Sequence, residues 1–197
     1  MDAMAANRWS KSTRWLHLGL VLTVSTQLLA SLVMEPPGED EGASAVARLA
    51  FEIHESVGMA ALAVVLLHWL ASLLQRGGSG LHHLFPWDAT GRAEIKADIA
   101  TLKRGALPEG GARGGLPGFV HGLGLLAVTG MVLTGSVLFL FWPEQGDIPQ
   151  WVDLVGEVHG AIGALVWTYW GSHIALAVLH IRAGHTEVHD IFRLTGG

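Results

Sequence analysis

The chain has 197 residues, 50% of them hydrophobic and 15% charged, with a formal net charge of −5 and a mean hydropathy of +0.41. It has no cysteine, which excludes a thiolate-held iron–sulfur cluster, a disulfide and a haem attached covalently through C-x-x-C-H. No nucleic-acid partner is expected, because the few bases follow the membrane pattern described below instead of forming a patch.

Four stretches are nearly free of charge, and each reaches the roughly 20 residues that cross a bilayer as a helix. The first is expected over 13–34. Arg8, Lys11 and Arg14 lead into it, and His17 lies one turn inside. The basic lead and the small residues Ala43-Ser44-Ala45 imitate a signal peptide, but the apolar run is long for one, so it is read as a retained helix. A loop follows, opening on Pro36-Pro37-Gly38 and continuing with acids. The second span, 52–75, carries His54 and His68.

Residues 76–117 form the largest polar segment. Asp88 or Thr90 can cap a short helix there, with Ile95, Ile99 and Leu102 on one face and Lys96 and Lys103 off it. Such a helix either lies on the inner membrane surface or covers the cytoplasmic end of the bundle. The glycine-rich run from Gly105 to Gly118 reads as a linker. The third span, 118–142, carries His121 and stops before Pro143, and the fourth, 156–182, carries His159, His173 and His180. The fold class expected is all-α: a transmembrane four-helix bundle forming a single membrane domain over 1–197.

Bases orient it. Eleven of the twelve Lys and Arg residues fall at the N-terminus, between spans two and three, or after span four, and only Arg48 falls on the other side. By the positive-inside bias both termini are cytoplasmic, and the loops containing Glu35, Glu39, Asp40, Glu41, Glu144, Asp147 and Asp153 face outward. Trp142 and Trp151 suit the outer aromatic belt and Trp15 the inner one.

Two segments read almost alike. Glu52-Ile53-His54 is followed by Gly58 and His68, and Glu157-Val158-His159 by Gly163 and His173, so both histidine pairs are fourteen residues apart. Fourteen helical residues rise roughly 21 Å and return to within about 40° of the starting face. Each segment thus sets two imidazoles on one side of a helix, near opposite surfaces of a bilayer, as two stacked haems would require. A lone histidine in a soluble core is commonly just a packed residue, but an ionisable group inside a membrane is a functional candidate.

On the outer side only His54 and His159 are available. On the inner side His173 can pair with His17, His68 or His121, and the internal repeat alone favours His68. Gly58 and Gly163, one turn below the outer histidines, would let a flat macrocycle approach the backbone; close helix packing is the bland alternative. His82, His83, His185 and His189 fall outside the spans and are read as solvated. A metal transporter is disfavoured, since Glu52, Glu55 and Glu157 cluster at the outer ends and leave no carboxylate at mid-membrane.

Arg14-Trp15-Leu16-His17 opening span one, His54 opening span two, and His159 with His173 on span four resemble the prokaryotic cytochrome b561 family. Its relatives are the cytochrome b subunits of nickel–iron hydrogenases and formate dehydrogenase. The resemblance covers all four spans and implies two haem b groups, the outer held by His54 and His159 and the inner by His17 and His173. His68 remains the alternative inner ligand. The resemblance further implies location in the bacterial inner membrane, quinone as redox partner and, in one branch, oxidation of superoxide.

With both axial positions filled, neither iron has an open site, so the expected role is electron transfer between an outer donor (superoxide or a redox protein) and quinone. The alternative is a membrane-anchor subunit serving a larger hydrogenase- or dehydrogenase-type catalytic subunit. His180, seven residues and about 10 Å beyond His173 on the same helix face, is placed to hydrogen-bond a quinone, with His121 next in line.

Overall fold

A computed structural model describes residues 9–35, 44–75, 80–143 and 146–194. Among these the chain is all-helical. Four long helices dominate: α1 (Lys11–Ala30), α2 (Ala45–Leu74), α5 (Gly115–Phe141) and α6 (Gln150–Arg182). Between α2 and α5 come α3 (Leu81–Leu84) and α4 (Ala89–Lys103), and a 3-10 segment, Thr186–Phe192, follows α6. The Pro36-Pro37-Gly38 break, the acids Glu39, Asp40, Glu41 and Glu144, and Arg8 of the basic lead lie outside the described residues.

Helices α2, α5 and α6 are each long and apolar enough to cross a membrane. Helix α1 is shorter, at 20 residues, and Arg14, His17 and Gln27 dilute its apolar run. The helices begin earlier than the apolar runs do. Helix α2 starts at Ala45 and α6 at Gln150, because Arg48 interrupts the apolar pattern but not the helix, and Asp153 in the first turn of α6 meets the positive end of the helix dipole. Leu66, Leu70, Leu133, Leu140 and Leu165 are all more than half exposed, which suits helices whose outer faces meet lipid rather than water.

The chain divides into two compact units. One comprises Met1–Leu18, Leu67–Leu126 and Tyr169–Gly197; the other comprises Gly19–Leu66 and Ala127–Thr168.

In the first unit, α3 is seated on α5 by a pair of glycines. A Cβ at Gly118 would collide with the His83 carbonyl oxygen, and one at Gly122 with that of Leu84. Next to this notch Leu84, Phe85 and Leu125 form a core, with Trp69 and Leu81 packed against it. Trp69 and Phe85 stack at 6.1 Å between ring centres.

Helix α4 starts where Asp88 accepts a hydrogen bond from the Gly91 amide at 2.7 Å, so Asp88 is the cap. Its buried face is not the isoleucine stripe: Ile99 and Leu102 are exposed, while Gly91 and Asp98 are buried. Asp98 accepts from both terminal nitrogens of Arg113 at 3.0–3.2 Å and from the Leu116 amide at 2.9 Å, clasping α4 to the start of α5. Gly115 permits this turn, since it holds φ +69 and a Cβ there would strike the Asp98 carboxylate. At the other end of the chain, Arg14 donates to the Arg193 carbonyl at 2.6 Å.

In the second unit, close approach again rests on glycine. A Cβ at Gly19 would sit 3.2 Å from Val64 between α1 and α2, and one at Gly130 would sit 3.2 Å from Ile162 between α5 and α6. Ala61, Val65, Val128, Val132, Val152 and Val166 are buried there.

Candidate functional site

Helix α2 presents His54 and helix α6 presents His159 to one cavity of about 430 Å³ in the second unit. Their ring centres are 6.3 Å apart and their planes 77° from parallel. Metal–imidazole bonds of roughly 2.0–2.1 Å, with about 1.1 Å more from each nitrogen to its ring centre, put two trans axial imidazoles about 6.3 Å apart. The two rings therefore stand at the spacing that one iron between them requires.

The hydrogen bonding of His159 also suits a ligand. Thr134 Oγ1 lies 2.8 Å from His159 Nδ1, and the same oxygen is 2.8 Å from the Gly130 carbonyl and 3.1 Å from that of Met131. A hydroxyl has one hydrogen. With that hydrogen given to a carbonyl, Oγ1 accepts from Nδ1–H, and the lone pair of Nε2 is left for a metal. Beside His54, Gln27 donates from Nε2 to the His54 carbonyl at 2.7 Å, while His54 Nδ1 is buried without a hydrogen-bond partner.

The cavity walls are largely apolar, from Val24, Leu28, Val128, Val132 and Phe139, and glycines, Gly156 among them, make them flat. Gly58 is one of these, where a Cβ would sit 3.0 Å from Gln27 Nε2; another is Gly135, where a Cβ would sit 3.1 Å from His159 Cε1. Gly163, singled out by the sequence repeat, lies off this wall, and a Cβ there would sit 3.8 Å from Met131 Cε. Glu55, Asp153 and Glu157 also line the cavity. An apolar, glycine-sided slot with two imidazoles across it fits a haem held by axial ligands and packing alone.

The first unit gathers more histidines. His17 and His173 have ring centres 6.4 Å apart, inclined by 54°, again the bis-imidazole spacing. His121 stands closer to His173, at 5.3 Å, which is too short for trans ligands of one iron. Tyr169 stacks on His173 at 5.5 Å, and Phe192 contacts His17 at 5.3 Å. His68 is engaged on its own helix, with Nδ1 3.3 Å from the buried Ser72 hydroxyl, and no described ring contact joins it to His173. Among the described residues no group of three or more His, Cys, Asp or Glu is arranged to hold a metal ion.

Two of the histidines read as solvated are not. His83 is only 5% exposed, and neither ring nitrogen has a hydrogen-bond partner. Its position follows from the Gly118–Gly122 notch, which draws α3 onto α5 and buries whatever α3 carries. Burial pushes the His83 imidazole down to about 4, with the nearby Arg113 guanidinium adding to the effect. His185 is half-buried, with Nδ1 2.9 Å from His180 Nδ1. His82 and His189 are exposed, His82 lying 3.2 Å from the Asp88 carboxylate. The sequence carried no signal for Thr134, Gly135 or Gln27, since small and amide residues within an apolar span read equally well as packing.

The family model for prokaryotic cytochrome b561 matches residues 8–193. No curated protein and no solved structure gave a significant match.

Proposed function

Because the chain belongs to the prokaryotic cytochrome b561 family, and is thereby a membrane b-type cytochrome of electron transfer, we propose that it binds two haem b groups and passes electrons between an outer donor and a membrane quinone. The observation that carries this reading is the pair of interhistidine spacings, 6.3 Å for His54 and His159 and 6.4 Å for His17 and His173. Haem iron, when bound, supplies one-electron redox chemistry. His54 and His159 would hold one group, with Thr134 fixing the tautomer of His159 and Gly58 and Gly135 giving the macrocycle room. His17 and His173 would hold the other, with Tyr169 stacked on His173 limiting its rotation. A pair of imidazoles at each site would occupy both ligand positions of a bound haem, so the residues favour electron carriage over oxygen chemistry. Reduction of a quinone to its quinol takes two electrons and two protons; the two histidine pairs would hold the groups that supply the electrons, and the protons would come from the solvent side.

In this reading the protein sits in the inner membrane, α1 spans it beside α2, α5 and α6, and both termini are cytoplasmic. Glu55, Asp153 and Glu157 on the cavity of the outer pair bear on the donor. A negative field repels superoxide and attracts a basic protein surface. It therefore favours a redox protein or a catalytic subunit of dehydrogenase or hydrogenase type over superoxide as electron source. The test is reduction of the purified, haem-loaded protein by decylubiquinol and by menadiol, followed in the visible spectrum. Reduction of both haems by one of these quinols supports the reading, and no reduction by either overturns it.

A further inference from the structure

His83 is the most anomalous polar group outside the two histidine pairs. It is 5% exposed, and both ring nitrogens are buried without partners. Leaving a buried donor or acceptor unsatisfied is costly, and here a single ring leaves both of its nitrogens so. The strain is built in, because α3 is pinned. The Gly118–Gly122 notch holds the His83 and Leu84 carbonyls, and the Leu84, Phe85 and Leu125 core fixes the next turn.

His83 is not isolated. Trp9 meets it edge to face at 5.1 Å and also meets His121 edge to face at 6.2 Å. His121 Nδ1 is likewise buried without a partner, and its ring stands 5.3 Å from that of His173. Three segments, the stretch leading into α1, α3 and the first turns of α5, thus converge two unsatisfied imidazoles on one indole, beside a proposed haem ligand.

We propose that His83, His121 and Trp9 form the headgroup site for the quinone, the two imidazoles hydrogen-bonding its oxygens and the indole packing against its ring. The proposal rests on the reading that this chain exchanges electrons with a quinone, and it names the residues that receive it. The chemistry selects the ligand class. An anion would need a free positive charge, but Arg113 is committed to Asp98 through both terminal nitrogens, and His83 is held neutral. A metal ion would need more ligands than two imidazoles on an apolar wall. A flat, uncharged ring with hydrogen-bonding oxygens matches neutral imidazoles next to an aromatic and an apolar core. His180 is a poorer candidate, since its Nδ1 is already engaged by His185.

The test uses the full-length protein with both haems quantified. Decylubiquinol and menadiol reduce the haems of the wild type, while His83→Leu lowers the reduction rate or raises the half-saturating quinol about tenfold, the loss of one hydrogen bond. His83→Gln, which keeps a donor and an acceptor, stays close to wild type. Haem content and spectra of both variants match the wild type. An azido-quinone photolabels the wild type on peptides containing Trp9, His83 or His121, a readout that does not depend on the variants folding. Wild-type kinetics in His83→Leu, or labelling confined to the peptide containing His180, overturns this site while leaving the quinone reading intact. Failure of either quinol to reduce the wild type overturns both.

Discussion

Thr134 on α5 accepts a hydrogen bond from His159 on α6 across 2.8 Å and passes its own hydrogen to the Gly130 carbonyl. A hydroxyl that stays inside its own helix turn would do nothing for a neighbour. This one orients the imidazole and raises the electron density that the ring offers a metal. Thr134→Val keeps the shape and removes the acceptor. The midpoint potential of the haem in the second unit is then expected to rise, with the other haem unchanged, while Thr134→Ser retains the wild-type value. Redox titration of the purified variants checks this, and equal potentials in Val and wild type would show the contact to be structural only.

The second prediction separates the two inner candidates. His17 stands 6.4 Å from His173, whereas His68 is turned to Ser72. His17→Ala should therefore lose one haem per chain, and His68→Ala should keep both. The pyridine haemochrome assay on each variant decides it. Loss of a haem in His68→Ala together with retention in His17→Ala would reverse the assignment.

The third concerns pH. His83 binds a proton at 6.5 when unfolded and only near 4 when buried in the fold. Between those values the unfolded chain holds a proton that the folded chain lacks. Stability is thus fully present above pH 6.5 and is lost as the pH falls toward 4, by about 3 kcal/mol at most. Thermal unfolding in detergent at pH 7 and pH 5 should show a smaller drop for His83→Gln than for the wild type. An identical drop would mean that His83 does not govern the acid limb.

Much of the architecture was legible because membrane spans are written in length and apolarity, and because a histidine inside one is expensive enough to stand out. The cap at Asp88 was also readable, since its side chain works on the next turn of its own chain. What escaped depends on contacts between segments distant in sequence. His83 looked like a loop residue until Gly118 and Gly122, thirty-five and more residues along, placed it under α5. Gly135 flattens the cavity wall where the repeat pointed to Gly163, because the repeat describes α2 and α6 and carries nothing about α5. The stripe of Ile95, Ile99 and Leu102 marked one face of α4, but Ile99 and Leu102 are exposed, and the buried contact is made by the Asp98–Arg113 pair on another face.

The most direct measurement is the dithionite-reduced minus oxidised spectrum of the purified chain, with haem counted per polypeptide and carbon monoxide then added. Two histidine pairs at the bis-imidazole spacing predict two low-spin b haems per chain, neither responding to carbon monoxide. A single haem, none, or a stoichiometric carbon monoxide shift would contradict the account.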